Sequence, residues 1–101
     1  MAVYSTMSDS GEQLTILIDE RFDFSLHQQF REAYSNIITK NTTYLLDLSK
    51  TNYMDSSALG MILLLKDHVQ LYEGILIISQ PNETVQKILE IAQFHRLMTI
   101  V

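Results

Sequence analysis

Apolar and polar positions alternate in some stretches of this chain and recur every three or four residues in others, and the changes of period mark out its elements. Residues 13 to 19 alternate, with Leu14, Ile16 and Ile18 on one face. Residues 2 to 8 precede them across Asp9-Ser10-Gly11-Glu12, a cluster whose turn chemistry suits a hairpin. The spacing then shifts. Ser25, followed three residues on by Gln28, predicts a capped helix start, and Leu26, Phe30, Ala33, Tyr34 and Ile37 return at helical intervals to make an amphipathic helix. Residues 42 to 49 alternate again, with Tyr44, Leu46 and Leu48 on one face. A short loop is expected next, then a second helix over residues 56 to 71.

Residues 75 to 79, Ile-Leu-Ile-Ile-Ser, form a continuous aliphatic run after Gly74, the pattern of a strand covered on both faces. Pro81-Asn82 stops that run and caps a third helix with Val85, Ile88, Leu89 and Ala92 as its buried stripe, and residues 97 to 101 supply a last strand. A hairpin followed by alternating strands and helices predicts an α/β fold. Its sheet is mixed and mostly parallel, of roughly 4 to 5 strands flanked by helices, with right-handed crossovers and one antiparallel member. Parallel strands bring their C-terminal ends to one edge, where open α/β sheets place ligands and reactive groups. Asp23, the triplet Asp55-Ser56-Ser57 and Ser79 all follow strand ends, so they are expected to lie near one another on that side.

Composition narrows the chemistry. The 101 residues suit one domain over residues 1 to 101 with a single core, and no repeat or linker interrupts them. A net charge of −5, with only seven scattered basic residues, argues against direct nucleic-acid contact and against an anionic membrane surface. The absence of cysteine removes disulfides and thiolate metal sites and leaves a reducing cytoplasm as the expected location. The first ten residues lack the basic start and apolar stretch of a signal peptide. The longest apolar run, Ala58 to Leu65 around Gly60, falls far short of the ~20 residues that cross a bilayer.

Catalysis finds little support. A nucleophilic Ser56 or Ser57 would need an adjacent base, the histidines are His27, His68 and His95 at polar or incidental positions, and no G-x-S-x-G elbow is present. No histidine pair has metal-ligand spacing, and glycines at 11, 60 and 74 make no phosphate-cradling loop, so no cofactor is expected and any ATP belongs to a partner.

The stretch Asn52 to Leu65 sets Asp55, Ser56 and Ser57 directly before an apolar helix. Asp and Ser are preferred helix caps, so the triplet can be read as capping alone. It also offers unpaired N–H groups and a positive dipole end, both favourable to an anion. The apolar run behind it is expected to be buried between the sheet and neighbouring helices, with Gly60 allowing close approach to the sheet.

Met54-Asp55-Ser56-Ser57-Ala58-Leu59-Gly60 resembles the D-S-[ST]-G-L-G signature of the STAS domain, the module of sulfate transporters and anti-sigma factor antagonists. Length, hairpin start and element order resemble a bacterial anti-sigma factor antagonist over essentially the whole chain, and Glu20-Arg21-Phe22-Asp23 resembles that family's G-x-hydrophobic-D segment. The resemblance implies that Ser56 is phosphorylated by an anti-sigma factor with serine kinase activity and that a PP2C-type phosphatase reverses this. It also implies that Asp55 and Asp23 border the acceptor, and that Ser57 caps the helix without receiving phosphate. Phe24, Tyr53 and Met54 are candidates for apolar partner contacts. Ala58 and Glu20 stand where the family pattern has glycine, and Ala58 puts a methyl at a turn where a partner's backbone would approach. A scaffold subunit of a transport or stress-sensing complex is the alternative on the same fold, and a serine hydrolase is a further alternative from another class.

Overall fold

A hairpin opens the fold. In the computed structural model, which describes residues 2–101, β1 (Val3–Met7) runs antiparallel to β2 (Gln13–Ile18), with Val3 opposite Ile18 and Met7 opposite Leu14. Gly11 sits at φ 76 in the connecting turn, a left-handed conformation that costs glycine nothing sterically. The chain continues through β3 (Glu20–Phe22), a 3-10 turn (Phe24–Leu26), α1 (His27–Tyr34), β4 (Thr43–Asp47), β5 (Thr51–Met54) and α2 (Ser56–Leu71). It closes with β6 (Ile75–Ser79), α3 (Glu83–Ile91), a second 3-10 turn (Phe94–Arg96) and β7 (Thr99–Ile100).

Five strands form the main sheet in the order β1-β2-β4-β6-β7, with β2, β4, β6 and β7 parallel and β1 antiparallel. This is the mixed, mostly parallel α/β sheet that the alternating pattern predicts. Each new parallel strand is added on the same side of the last. Right-handed crossovers therefore leave the helices on one face. Leu14, Ile16, Ile18, Tyr44, Leu46, Leu76 and Ile78 turn toward that face and meet Phe30 and Tyr34 of α1, Met61, Ile62, Leu65 and Val69 of α2, and Val85 and Leu89 of α3 in one buried cluster. Each such fully buried aliphatic or aromatic side chain contributes about 1.5 to 3 kcal/mol relative to exposure.

The aliphatic run of β6 is accordingly not covered on both faces. Leu76 and Ile78 are buried, but Ile75 is 58% exposed, because a sheet that grows in one direction has no crossover to cover its other side. Gly60 also departs from expectation. A Cβ built there would meet nothing within 4 Å, and Leu63 and Leu64 beside it are exposed, so the outward face of α2 is partly apolar while Ala58, Met61, Ile62 and Leu65 face the core. Gly74 is the glycine that packing requires, since an added Cβ would lie 2.5 Å from the Thr42 carbonyl oxygen.

The first helix is shorter than its apolar spacing suggests. Ser25 is not its cap: Asp23 accepts from the Ser25 N–H and opens the 3-10 turn that precedes α1, and Ile37 lies beyond the end of the helix while still packing on the core. His68, expected at an incidental position, is structural. Its Nε2 lies 2.7 Å from the Ile37 carbonyl oxygen, and its ring packs among Tyr34, Tyr44 and Tyr72 with centroids 5.1, 6.0 and 5.0 Å away.

The largest difference from the sequence pattern is the pairing of β3 with β5 in a separate two-stranded parallel sheet. Residues 51 to 54, expected as a loop, are a strand. Phe22 is opposite Met54 and both are buried, whereas Arg21 is opposite Tyr53 and both are exposed. This small sheet carries the chain from the edge of the main sheet to the functional surface.

Candidate functional site

β3 and β5 run side by side and each ends in an aspartate whose backbone is extended, Asp23 at φ −138 and Asp55 at φ −112. Each aspartate then turns its strand into a helical segment by the same device. Asp55 Oδ1 accepts from Ser57 N at 3.0 Å, Ser57 Oγ at 2.6 Å and Ala58 N at 3.2 Å. Asp23 Oδ1 accepts from Ser25 N at 3.0 Å and from the Ser25 hydroxyl. Two Asp-x-Ser turns therefore stand next to each other, and they satisfy N–H groups that the start of a helical segment leaves without intrahelical partners.

The middle residue of each turn is the one the capping does not use. In the first turn it is Phe24, 63% exposed and stacked on His27 with ring centroids 4.7 Å apart and planes 4° from parallel. In the second it is Ser56, which is exposed and, among the described residues, takes part in no side-chain hydrogen bond. Of the three polar residues that open α2, Asp55 and Ser57 are bound to each other, and Ser56 alone presents an uncommitted hydroxyl. Ser57 was expected to cap the helix. It supports the cap as a donor, and the capping group is the Asp55 carboxylate. Removing it with Asp55→Ala is expected to cost about 1 to 2 kcal/mol of stability in urea unfolding. A change within about 0.5 kcal/mol, the ordinary range of surface substitutions, would contradict the capping role.

Arg21 borders the first turn and the strand that leads into the second. Its Nε donates to Asp23 Oδ2 at 3.4 Å and its guanidinium lies 4.4 Å from the centroid of the Tyr53 ring, a cation–π placement. The Asp23 carboxyl is held below the usual carboxylate range. The Ser25 hydroxyl and N–H contribute most, partial desolvation opposes them, and Arg21 adds a smaller lowering. Asp23 therefore stays ionised, and its cap intact, to lower pH than a free aspartate.

The structure brings Asp23, Phe24, Tyr53, Asp55, Ser56 and Ser57 to one surface and places two of the predicted contact residues beneath it. Met54 is 3% and Ala58 0% exposed, so neither offers the partner contact expected of it. Met54 shares the inward face of β5 with Phe22, and Ala58 is the third residue of α2, on the side that meets the core. Ser79 ends β6 and its carbonyl oxygen accepts from the Leu48 N–H at 2.9 Å. It is in register with Asp47 at the edge of the main sheet, before the chain turns into β5 and on to Ser56. Glu20 lies at φ 66 beside a register shift in β3, a left-handed conformation that costs a residue with a Cβ about 1 kcal/mol and explains why glycine suits this position.

Arg21 and His27 were absent from the sequence-based site. Their signal was the recurrence of Asp-x-Ser at residues 23 to 25 and 55 to 57, each after a short segment with one large apolar residue before the aspartate. No hydrogen bond joins Ser56 or Ser57 to a histidine among the described residues, and among those residues no three His, Cys, Asp or Glu side chains gather to hold a metal. Among the described residues no helix is long and apolar enough to cross a membrane.

Residues 4–101 match the sequence profile of the STAS domain. The chain belongs to the STAS domain family. A STAS-domain containing protein of Pseudomonas aeruginosa strain UCBPP-PA14 is 42% identical over 100 residues, 99% of each chain. The fold of this STAS domain is that of the anti-sigma factor antagonist SpoIIAA. The unphosphorylated form of SpoIIAA superposes with a TM-score of 0.82 at 23% identity, covering 99% of this chain and 88% of that one. The phosphorylated form of the Bacillus cell fate determinant SpoIIAA gives 0.75 at 22% identity, with 99% and 91% covered.

Proposed function

We propose that this STAS domain is an anti-sigma factor antagonist switched by phosphorylation of Ser56. The exposed, uncommitted Ser56 hydroxyl between two bound neighbours carries this reading, and the existence of SpoIIAA in phosphorylated and unphosphorylated forms on the same fold supports it. Unphosphorylated protein docks an anti-sigma factor with serine kinase activity through the surface of Phe24, Tyr53 and the two Asp-x-Ser turns. Docking occupies the anti-sigma factor and frees the sigma factor.

The kinase then transfers the γ-phosphoryl group of ATP. The bond from Ser56 Oγ to phosphorus forms as the bond to the ADP oxygen breaks, and the hydroxyl proton passes to a base on the kinase. A PP2C-type phosphatase uses water to restore serine and release inorganic phosphate. The new group adds about −1.5 to −2 charges. Inside the domain the dipole of α2 offsets part of this, about 0.3 to 1 kcal/mol, so the fold tolerates the modification. At an interface a like-charge contact or a desolvated phosphate costs several kcal/mol, so the effect falls on docking.

Intact-mass measurement of the protein purified from its native cell, before and after phosphatase treatment, tests the acceptor. The expected result is a single phosphate, removable by phosphatase and mapped to Ser56. A protein that carries no phosphate under any growth condition, or carries it on Ser57, would overturn the assignment.

A further inference from the structure

Arg21 takes no part in capping, yet its side chain lies between Asp23 of the first Asp-x-Ser turn and the ring of Tyr53, two residues before Asp55 of the second. It is exposed and held by one long contact, Nε to Asp23 Oδ2 at 3.4 Å, and by the face of Tyr53. The register sets Arg21 opposite Tyr53 and Phe22 opposite Met54, the Asp55 N–H donates to the Phe22 carbonyl oxygen at 3.4 Å, and Ser56 follows directly, three residues along the chain from Tyr53. Adjacent strands are about 4.8 Å apart, and the guanidinium already spans that gap to reach Tyr53. Ser56 is exposed, so a phosphate on its Oγ stands in solvent, free to take a partner.

The chemistry favours a transfer. A guanidinium pairs best with a phosphate, through two parallel N–H···O bonds, whereas its contact with Asp23 is single and long. Asp23 keeps its Ser25 donors when the arginine leaves, so releasing it costs the first turn little.

We propose that Arg21 is the internal counter-ion of phosphorylated Ser56: its guanidinium leaves Asp23 and the Tyr53 ring and pairs with the phosphate, so that phosphorylation rearranges the docking surface as well as charging it. The proposal rests on Ser56 being the acceptor. In the unphosphorylated state a partner meets Tyr53 covered by a cation. In the phosphorylated state it meets an uncovered Tyr53 ring, an Asp23 carboxylate held by Ser25 alone and a phosphate whose charge is partly answered from within. The changed surface then adds to the penalty that the phosphate charge itself places on docking.

The test uses the full chain with phosphoserine placed at position 56 during translation, so that it depends on no kinase. A pH titration followed by phosphorus-31 NMR reads the second ionisation of the phosphate, ordinarily near about 6. In the wild-type chain this ionisation is expected at lower pH than in Arg21→Gln, by about 0.5 to 1 unit, because a cation within a few ångströms favours the dianion. Arg21→Lys is expected to restore part of the lowering, and Asp23→Asn, which frees the arginine, to keep it or deepen it. Glu20, Asp23, His27, Lys50, Asp55 and Glu83, with the remaining ionisable groups of the three helices, are the same in wild type and Arg21→Gln and cancel in the difference. The side-chain nitrogen resonance of Arg21 should also move when Ser56 carries phosphate. Equal ionisation in wild type and Arg21→Gln, both folded by their proton spectra, would overturn the counter-ion role. A failure of the native cell to phosphorylate Ser56 would overturn the acceptor assignment and leave this measurement standing.

Discussion

Phosphate on Ser56 is expected to weaken binding of this STAS domain to the proposed anti-sigma partner by about a hundredfold or more. The arithmetic follows from an interface penalty of several kcal/mol for a like-charge or desolvated contact, against about 1.4 kcal/mol for each tenfold change in affinity. Ser56 is the place where such a penalty lands, because its side chain points outward while its neighbours Asp55 and Ser57 are bound to each other. Calorimetric titration of the partner with wild-type, phosphorylated, Ser56→Ala and Ser56→Asp protein reads the effect. Ser56→Ala should bind like the unmodified chain, since the hydroxyl makes no internal bond that the substitution would break. Ser56→Asp should fall between the unmodified and phosphorylated forms, because a carboxylate brings one charge and two oxygens where phosphate brings more of both. Raising the salt concentration should narrow the difference, as far as the charges remain accessible to ions. Equal affinity of the phosphorylated and unphosphorylated chains would remove the switch.

Phe22→Ala is expected to lower global stability by about 3 to 5 kcal/mol, the range for deleting a buried aromatic side chain and leaving a cavity. Phe22 is fully buried, and its ring packs against Phe30 of α1 with centroids 5.1 Å apart and planes inclined at 52°. It is also the residue of β3 that sits in register with Met54 of β5, immediately before the paired aspartates. The same truncation should therefore loosen the pairing of the small sheet and the alignment of the two Asp-x-Ser turns. Urea unfolding measures the stability, and hydrogen exchange of the amides in residues 20 to 23 and 51 to 54 measures the local effect. A loss below about 1 kcal/mol would mean that the site is not supported from beneath by this packing.

The two expectations draw on different links in the same chain of causes. Phe22 holds the turns in place, the turns bind Asp55 to Ser57 and Asp23 to Ser25, and that binding leaves Ser56 exposed between occupied neighbours. The proposed switch separates stability from signalling. The cap and core carry the fold, and the proposed change of charge falls on Ser56, which neither uses.

Periodicity alone was enough to determine the main framework: the alternation of Leu14, Ile16 and Ile18, and of Tyr44, Leu46 and Leu48, is recovered as buried strand faces, and the order of elements as the mixed parallel sheet. Both are local properties, since the side-chain period of an element follows from its own backbone geometry. Ser56 was also legible as a candidate, because the resemblance rests on a contiguous string. Only the tertiary structure decided the pairing of β3 with β5, since three and four residues are too few for a period to declare itself and the pairing joins residues as far apart as Phe22 and Met54. From that pairing came the exposure of Phe24, the burial of Met54 and Ala58, and the position of Arg21 over Tyr53. The single-sided covering of β6 was decided in the same way, because how many faces of a strand are covered depends on the direction in which the sheet grows, a property of all its strands together.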